Sequence, residues 1–386
     1  MGNDLVSACV FCLGMLFNVD FTPPAGYSAD VFAGYGTLQR QVTAGSLLVD
    51  DRSAATLKGT GVGIRWTRPA ANGLGAGTPA SEVRLRFAFP NSHDEVSQSG
   101  SSPMSATATG DGRYENFACI FRVPVELADS LEFGFEQRRQ KITDLVSFNA
   151  VPYEFTYERA LIAYHLDFGI GWRHRFRDFE VAGGWTASRV EARNDTPLSG
   201  ILAGGTLQGG RAEPRYQSGP WNYSLLGRVV GDHISVGEQF GGRPQTFFDR
   251  NAWLEAITFA VTHRIHKFEA FLSGTWDRAR LPGVALAVTG SEQLAFDQGY
   301  HPDSTIRQWW ADLVLRGEVA PGVFPRFFFR YARGTEAVAL TDSSGVLPPQ
   351  NLHFTRGGQF PPSGTNPSAP EYTIGIGLEA FFGRRD

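Results

Sequence analysis

The segment from Ala160 to Phe176 alternates without interruption. Ala160, Ile162, Tyr164, Leu166, Phe168, Ile170, Trp172, His174 and Phe176 share one parity; Leu161, Ala163, His165, Asp167, Gly169, Gly171, Arg173 and Arg175 share the other. Successive side chains of a β-strand point to opposite faces, so this is one long strand with an apolar face and a small or charged face. Strands in soluble sheets run about five or six residues. A much longer strand with charge along a whole face does not fit a dry sandwich core, where each unpaired ion costs several kcal/mol.

The pattern recurs. Phe179, Val181, Gly183, Trp185 and Ala187 share a face after Arg177-Asp178, and Phe268, Ala270, Leu272, Gly274 and Trp276 share another. Trp309, Ala311, Leu313, Leu315, Gly317 and Val319 oppose Gln308, Asp312, Arg316 and Glu318. Tyr372, Ile374, Ile376, Leu378, Ala380 and Phe382 oppose Thr373, Gly375, Gly377 and Glu379. Short turns are expected at Val125 to Ser130, Arg177-Asp178, Gly231-Asp232-His233, Ile265-His266 and Pro321-Gly322. Long stretches rich in Gly, Pro, Ser and Asp, at Glu191 to Pro220, Leu281 to Thr305 and Thr341 to Glu371, are expected as loops. Short turns at one end and long loops at the other organise a transmembrane β-barrel, with the turns in the periplasm and the loops outside the cell.

This rule predicts fourteen strands, an even number as closure requires. They fall at 28–40, 55–68, 81–90, 112–124, 130–142, 154–175, 179–192, 217–230, 233–241, 251–264, 267–280, 306–319, 324–336 and 371–383. The fold expected is all-β: one transmembrane antiparallel β-barrel over 28–386. Residues 1–27 read as a signal segment and short lead, because the apolar run Leu5 to Phe17 is too short for a membrane helix.

Composition agrees. Charged residues are 19% of the chain and aromatics 13%, against about 25% charge in soluble chains. The aromatic content excludes a disordered chain. A net charge of −4 excludes a general nucleic-acid binder. Cys9, Cys12 and Cys119 give no disulfide framework, and the lone CxxC is weak metal or redox evidence.

On these features the chain resembles the bacterial outer-membrane β-barrel proteins, of porin-like architecture. The final strand, Gly377-Leu378-Glu379-Ala380-Phe381-Phe382, is similar to the aromatic-ended strand that the barrel-assembly machinery recognises, although Gly383-Arg384-Arg385-Asp386 follow it. The resemblance implies an outer-membrane location in a Gram-negative-type bacterium, with membrane lipid and the assembly machinery as partners. Fourteen-stranded fatty-acid transporters of this architecture carry an amino-terminal plug, and the short lead here is expected to lack one.

The inward face is the candidate site. It is predicted to carry Arg65, Arg84, Arg86, Arg122, Arg138, Arg159, Arg173, Arg175, Arg228, Arg316 and Arg330. Acids expected on the same face are Glu132, Glu136, Asp167, Glu269, Asp277, Asp312, Glu318 and Glu379. A water-filled lumen removes most of the cost of such charges, and arginine rings suit anion pores. Trp66, Tyr164, Trp172, Trp185, Trp276 and Trp309 read as membrane-interface aromatics. Trp310 is out of phase and points inward, as a packing residue or a sugar-stacking ring.

No G-x-S-x-G, H-E-x-x-H, P-loop or G-x-G-x-x-G occurs. His165 with Asp167, and His263 with His266, are the pairs that could start a hydrolytic or metal site, and neither is complete. The expectation is a non-enzymatic channel for small hydrophilic solutes with a mild anion preference, without cofactor or metal. The alternatives are a closed barrel whose loops serve adhesion or a surface or periplasmic protein partner, and a barrel enzyme acting on lipid.

Overall fold

Alternation over long segments leaves each backbone group to be satisfied by a neighbouring strand, and in hydrocarbon the ladder must close on itself. In the computed structural model it does. The structure describes residues 26–382 except 45–46, 69–80, 101–103, 127, 151–152, 196–198, 241–242, 282–283, 286–299, 302, 341–349 and 355–370. Among them fourteen strands form the wall: β1 (Gly26–Ala44), β2 (Leu47–Arg68), β3 (Ser81–Gly100), β4 (Met104–Pro124), β5 (Asp129–Ala150), β6 (Tyr153–Phe176) and β7 (Phe179–Asp195). The second half is β8 (Ser199–Ser218), β9 (Trp221–Phe240), β10 (Arg243–Ile265), β11 (Phe268–Leu281), β12 (Asp303–Gly317), β13 (Val323–Leu340) and β14 (Glu371–Phe382). Each pairs antiparallel with the next, and β14 returns to β1 from Tyr27–Phe382 to Thr37–Tyr372, leaving no free edge.

Two of the predicted strands are corrected. Residues 217–230 and 233–241 are not separate strands around a Gly231-Asp232-His233 turn. They belong mostly to the single strand β9, in which Gly231 pairs with both Gln208 and Trp253. The partner β8 occupies part of the stretch read as a loop. Its five glycines between Gly200 and Gly210 blur the alternation. At Gly209 a side chain would collide with the Val229 carbonyl, so glycine there permits a close strand approach. The count of fourteen survives because one missed strand offsets one strand cut in two.

Most strands also run beyond the predicted ends on the side away from the tight turns. β3 continues to Gly100 and β5 to Ala150. A tilted membrane strand needs only about 9–11 residues. Past the band both faces meet water, so the alternation fades while the ladder continues.

The outer face carries the apolar band. Tyr27, Val31, Val62, Phe89, Phe121, Phe133, Phe168, Ile170, Phe259, Leu272 and Ile376 are exposed on it. Large apolar side chains so exposed around a whole closed sheet make a lipid-contacting surface. Two-residue turns at 177–178, 219–220 and 266–267 close one end, each entered at positive φ: 54° at Arg177, 55° at Gly219 and 52° at His266. Such turns match the right-handed twist of the flanking strands. Residues 1–25, including Cys9 and Cys12, lie outside the described residues.

Candidate functional site on the inner face

The inward parity places charge in a lumen. Among the described residues it carries Arg65, Arg84, Arg86, Arg122, Arg138, Arg173, Arg175, Arg211, Arg215, Arg228, Arg264, Arg316, Arg326 and Arg330. Facing them are Asp30, Glu82, Glu132, Glu136, Asp167, Glu180, Glu213, Glu269, Asp312 and Glu379. Among these described side chains fourteen cations stand against ten anions.

The charges are joined across strands. Glu82 accepts from Arg65 Nε at 2.7 Å, from Arg122 Nη1 at 3.0 Å and from Arg84. Glu132 accepts from Arg122 at 3.0 Å and from Arg173 and Arg211 at 2.9 Å. Arg173 also engages Glu180, and Glu213 at 3.5 Å. Higher on the wall, Arg138 donates to Asp167 at 3.1 Å, and Arg228 stands 3.6 Å from the same carboxylate. Arg86 reaches Asp30 at 3.3 Å.

The wall formed by β11 to β14 and β1 is built differently. Arg316 bonds Glu269 at 2.8 Å and Glu379 at 3.1 Å, and Arg326 joins Glu379 at 2.7 Å. The Arg316 guanidinium lies 4.8 Å from the Phe324 ring centre. Arg330 holds Asp312 at 3.0 Å beneath the Trp310 ring, 5.5 Å away, and Ser273 donates to Asp312 at 3.2 Å. Phe328 and Val314 point inward yet are fully buried. The Phe328 ring lies over Gly375, and Phe32 over Gly59, where a Cβ would come within 2.5 Å of Phe32 Cζ. These two inward rings therefore pack against glycines of the neighbouring strand.

The opposite wall leaves open space at Gly134. A side chain at Gly134 would meet nothing within 4 Å. The side chains of Arg65, Arg84, Arg86, Arg122, Arg138, Arg211 and Arg228 keep between 17% and 30% exposure, whereas Arg316, Arg326 and Arg330 keep 3–5%.

Several expected residues sit at the margins. Arg175 is exposed at the turn end and donates to the Arg177 carbonyl at 3.4 Å. Glu318 follows β12, and its carboxylate accepts the Gly322 amide at 2.9 Å, bracing the turn before β13. The side chains of Arg159, His165 and Asp277 lie outside the described residues. Trp66, Trp172, Trp276 and Trp309 are exposed on the outer face, and Tyr164 is half-buried there. Trp185 is also exposed on the outer face, where it pairs with Ile170 and Gly210. His263 stacks on Trp221 at 3.7 Å on the outer face, and His266 occupies a turn. Sequence reasoning missed Asp30, Glu82, Glu180, Arg211, Glu213, Arg215, Arg264 and Arg326. The spacing Arg211-x-Glu213-x-Arg215, interleaved with Ala212, Pro214 and Tyr216, is period two and could have revealed β8.

No protein-family model and no curated protein matches the chain. Among solved structures it is similar to a Pseudomonas aeruginosa FadL homologue, at 9% identity and TM-score 0.46, over 94% of this chain and 93% of that one. The Ralstonia pickettii toluene transporter TbuX gives 8% identity and TM-score 0.45, over 94% and 90%. The translocator domain of the autotransporter NalP from Neisseria meningitidis gives 11% and 0.42, over 98% of both chains. Likeness at this level says nothing of substrate or partner. The strand pairing and the lipid-facing band themselves make this a closed, fourteen-stranded transmembrane barrel of the bacterial outer-membrane type.

Proposed function

We propose that the barrel is an outer-membrane channel for passive passage of small hydrophilic solutes, with anions favoured. The observation that carries this reading is the uneven wall. Apart from the buried Arg173, arginines of β2 to β9 retain solvent on the inward face, while those of β12 and β13 are packed away. Water then follows an eccentric path along β3 to β9, past guanidinium groups that outnumber the carboxylates among the described side chains. Fixed cations in a narrow aqueous path raise the local anion concentration. No catalytic step is assigned to the inner face: Asp167 is engaged by Arg138 and Arg228. The aromatic end of β14 is assigned to recognition by the assembly machinery.

The test is current through purified protein in a planar bilayer under a KCl gradient. The reversal potential is expected on the anion side. Arg86→Glu, Arg211→Glu and Arg228→Glu together change the lumen by six charge units and should move it toward cations. The shift should be largest in dilute salt, where the Debye length is about 30 Å at 0.01 M. Absence of current from folded protein overturns the channel. That outcome selects the second reading, a closed barrel presenting its outer hairpins to a surface partner, which the fully buried inward pair Phe328 and Val314 favours.

A further inference from the structure

The outer face carries a charged feature that solute passage does not use. At the end of the apolar band away from the tight turns, strands β10 to β13 align in rows. One row reads Ile257, Trp276, Trp309 and Arg333; the next reads Glu255, Arg278, Arg307 and Thr335. Arg278 and Arg307 are direct cross-strand partners on the lipid side, with Cβ atoms about 4.5–5.5 Å apart, a placement that repels like charges. Arg333 is the diagonal neighbour of Arg307.

Two other outward arginines of this rim, Arg139 and Arg189, have carboxylates beside them. Arg139 stands 3.8 Å from Glu115, and Arg189 stands 2.5 Å from Glu191. In the β10 to β13 patch Glu255 is the carboxylate among the described residues, and it accepts the Trp253 indole N–H at 2.8 Å. The Nε of Arg278 is buried with no hydrogen-bond partner. Arg307 and Arg333 are exposed. The cluster therefore holds an excess of positive charge and an unused donor.

We infer that Arg278, Arg307 and Arg333 form a binding site for the phosphate of an outer-leaflet lipid headgroup. Planar guanidinium forks match phosphate oxygens and bind them in charge-assisted pairs. Trp276 and Trp309 lie in the row below, at the headgroup level where indoles settle, and offer an apolar wall to the acyl chains. The tight turns mark the periplasmic end, so this rim belongs to the outer leaflet. The patch faces away from the lumen, which favours a lipid phosphate over a free one.

The experiment is native mass spectrometry of the full barrel mixed with diphosphoryl lipid A, or with the same lipid stripped of its phosphates. Wild type is expected to retain the phosphorylated lipid and release the stripped one. Arg278→Gln with Arg307→Gln and Arg333→Gln should weaken retention by about tenfold, which is about 1.4 kcal/mol. Arg139→Gln with Arg189→Gln should not. Heat-modifiable gel mobility establishes that each variant is folded, and Arg307→Gln alone, at an exposed position, provides a milder step in the same direction. Equal retention by the triple variant, or equal retention of the stripped lipid, overturns the site. Displacement of lipid A by excess inorganic phosphate would assign the arginines to free phosphate and overturn the lipid reading.

Discussion

Glu132→Gln measures how dry the inner network is. Glu132 is 8% exposed and is held by Arg122, Arg173 and Arg211 at 2.9–3.0 Å. Glutamine keeps the shape but removes the charge, and its amide N–H₂ must face a guanidinium that also only donates. Removing one partner of a buried pair costs about 3–5 kcal/mol, and of an exposed pair about 0.2–1 kcal/mol. The surroundings decide between them. Arg173 is buried but keeps Glu180 and Glu213, and Arg122 keeps Glu82 at 3.0 Å. Arg211, about a quarter exposed, has water to fall back on. The expected loss is therefore at the low end of the buried range, about 3 kcal/mol or roughly 150-fold in the folding equilibrium. Urea unfolding in detergent micelles, followed by tryptophan fluorescence, reads it as a lowered midpoint at unchanged slope. Adding Arg211→Gln should restore at least about 1 kcal/mol through the shared contact. A loss below about 1 kcal/mol, with fold retained, would refute the reasoning, because the network would then be as wet as a surface ion pair.

Further outcomes follow from the register. Phe168→Arg faces hydrocarbon and should impair assembly, at about 2–4 kcal/mol for a midplane arginine. Gly134→Arg enters open space in the lumen and should assemble normally; equal damage in heat-modifiable mobility would break the inward–outward assignment. Asp111→Cys, on an exposed side chain of the projecting part of β4, should label with an impermeant thiol reagent on intact cells, and Lys267→Cys in a tight turn should not. The opposite labelling would invert the topology. Gly209→Val should prevent folding, because its Cβ would meet the Val229 carbonyl and come within 2.8 Å of Val230 Cα, whereas Gly210→Val has 4.0 Å to the nearest backbone atom and should fold.

The barrel was legible where one face met lipid. In β6, β12 and β14 the alternation of large apolar with small or charged residues sets the face of every side chain, and the observed exposures follow it. It failed where lipid does not discriminate. The upper halves of β3 and β4 stand beyond the band; Ser105, Thr107, Thr109 and Asp111 still alternate with Ala106, Ala108, Gly110 and Gly112, but without the large apolar residues that mark a lipid face, although the ladders are complete. In β8 the obstacle was local: glycine contributes neither an apolar nor a polar vote, and the Gly-Asp in β9 copies turn chemistry while both neighbouring strands hold it extended.

The inner site was legible as a list of charges but not as a set of partners. Which face Arg173 occupies follows from parity alone; that it shares Glu132 with Arg211, 79 residues from that carboxylate, follows from register across three successive strand pairings. Arg316 with Glu379, 63 residues apart, and Arg86 with Asp30, 56 apart, depend in the same way on the order in which strands close the ring. Parity therefore predicted a lumen ringed evenly by arginine, with Arg173 and Arg330 available to solutes. Register divides them. Arg330 is closed in by Asp312 and Trp310, and Arg173 by three carboxylates, so neither belongs among the groups that set selectivity. That role passes to Arg86, Arg211 and Arg228, which pair with Asp30, Glu132 and Asp167 and are still reached by solvent. Reversing the charge of Arg173 or Arg330 should therefore damage folding before it moves the reversal potential, while reversing the exposed three should do the opposite.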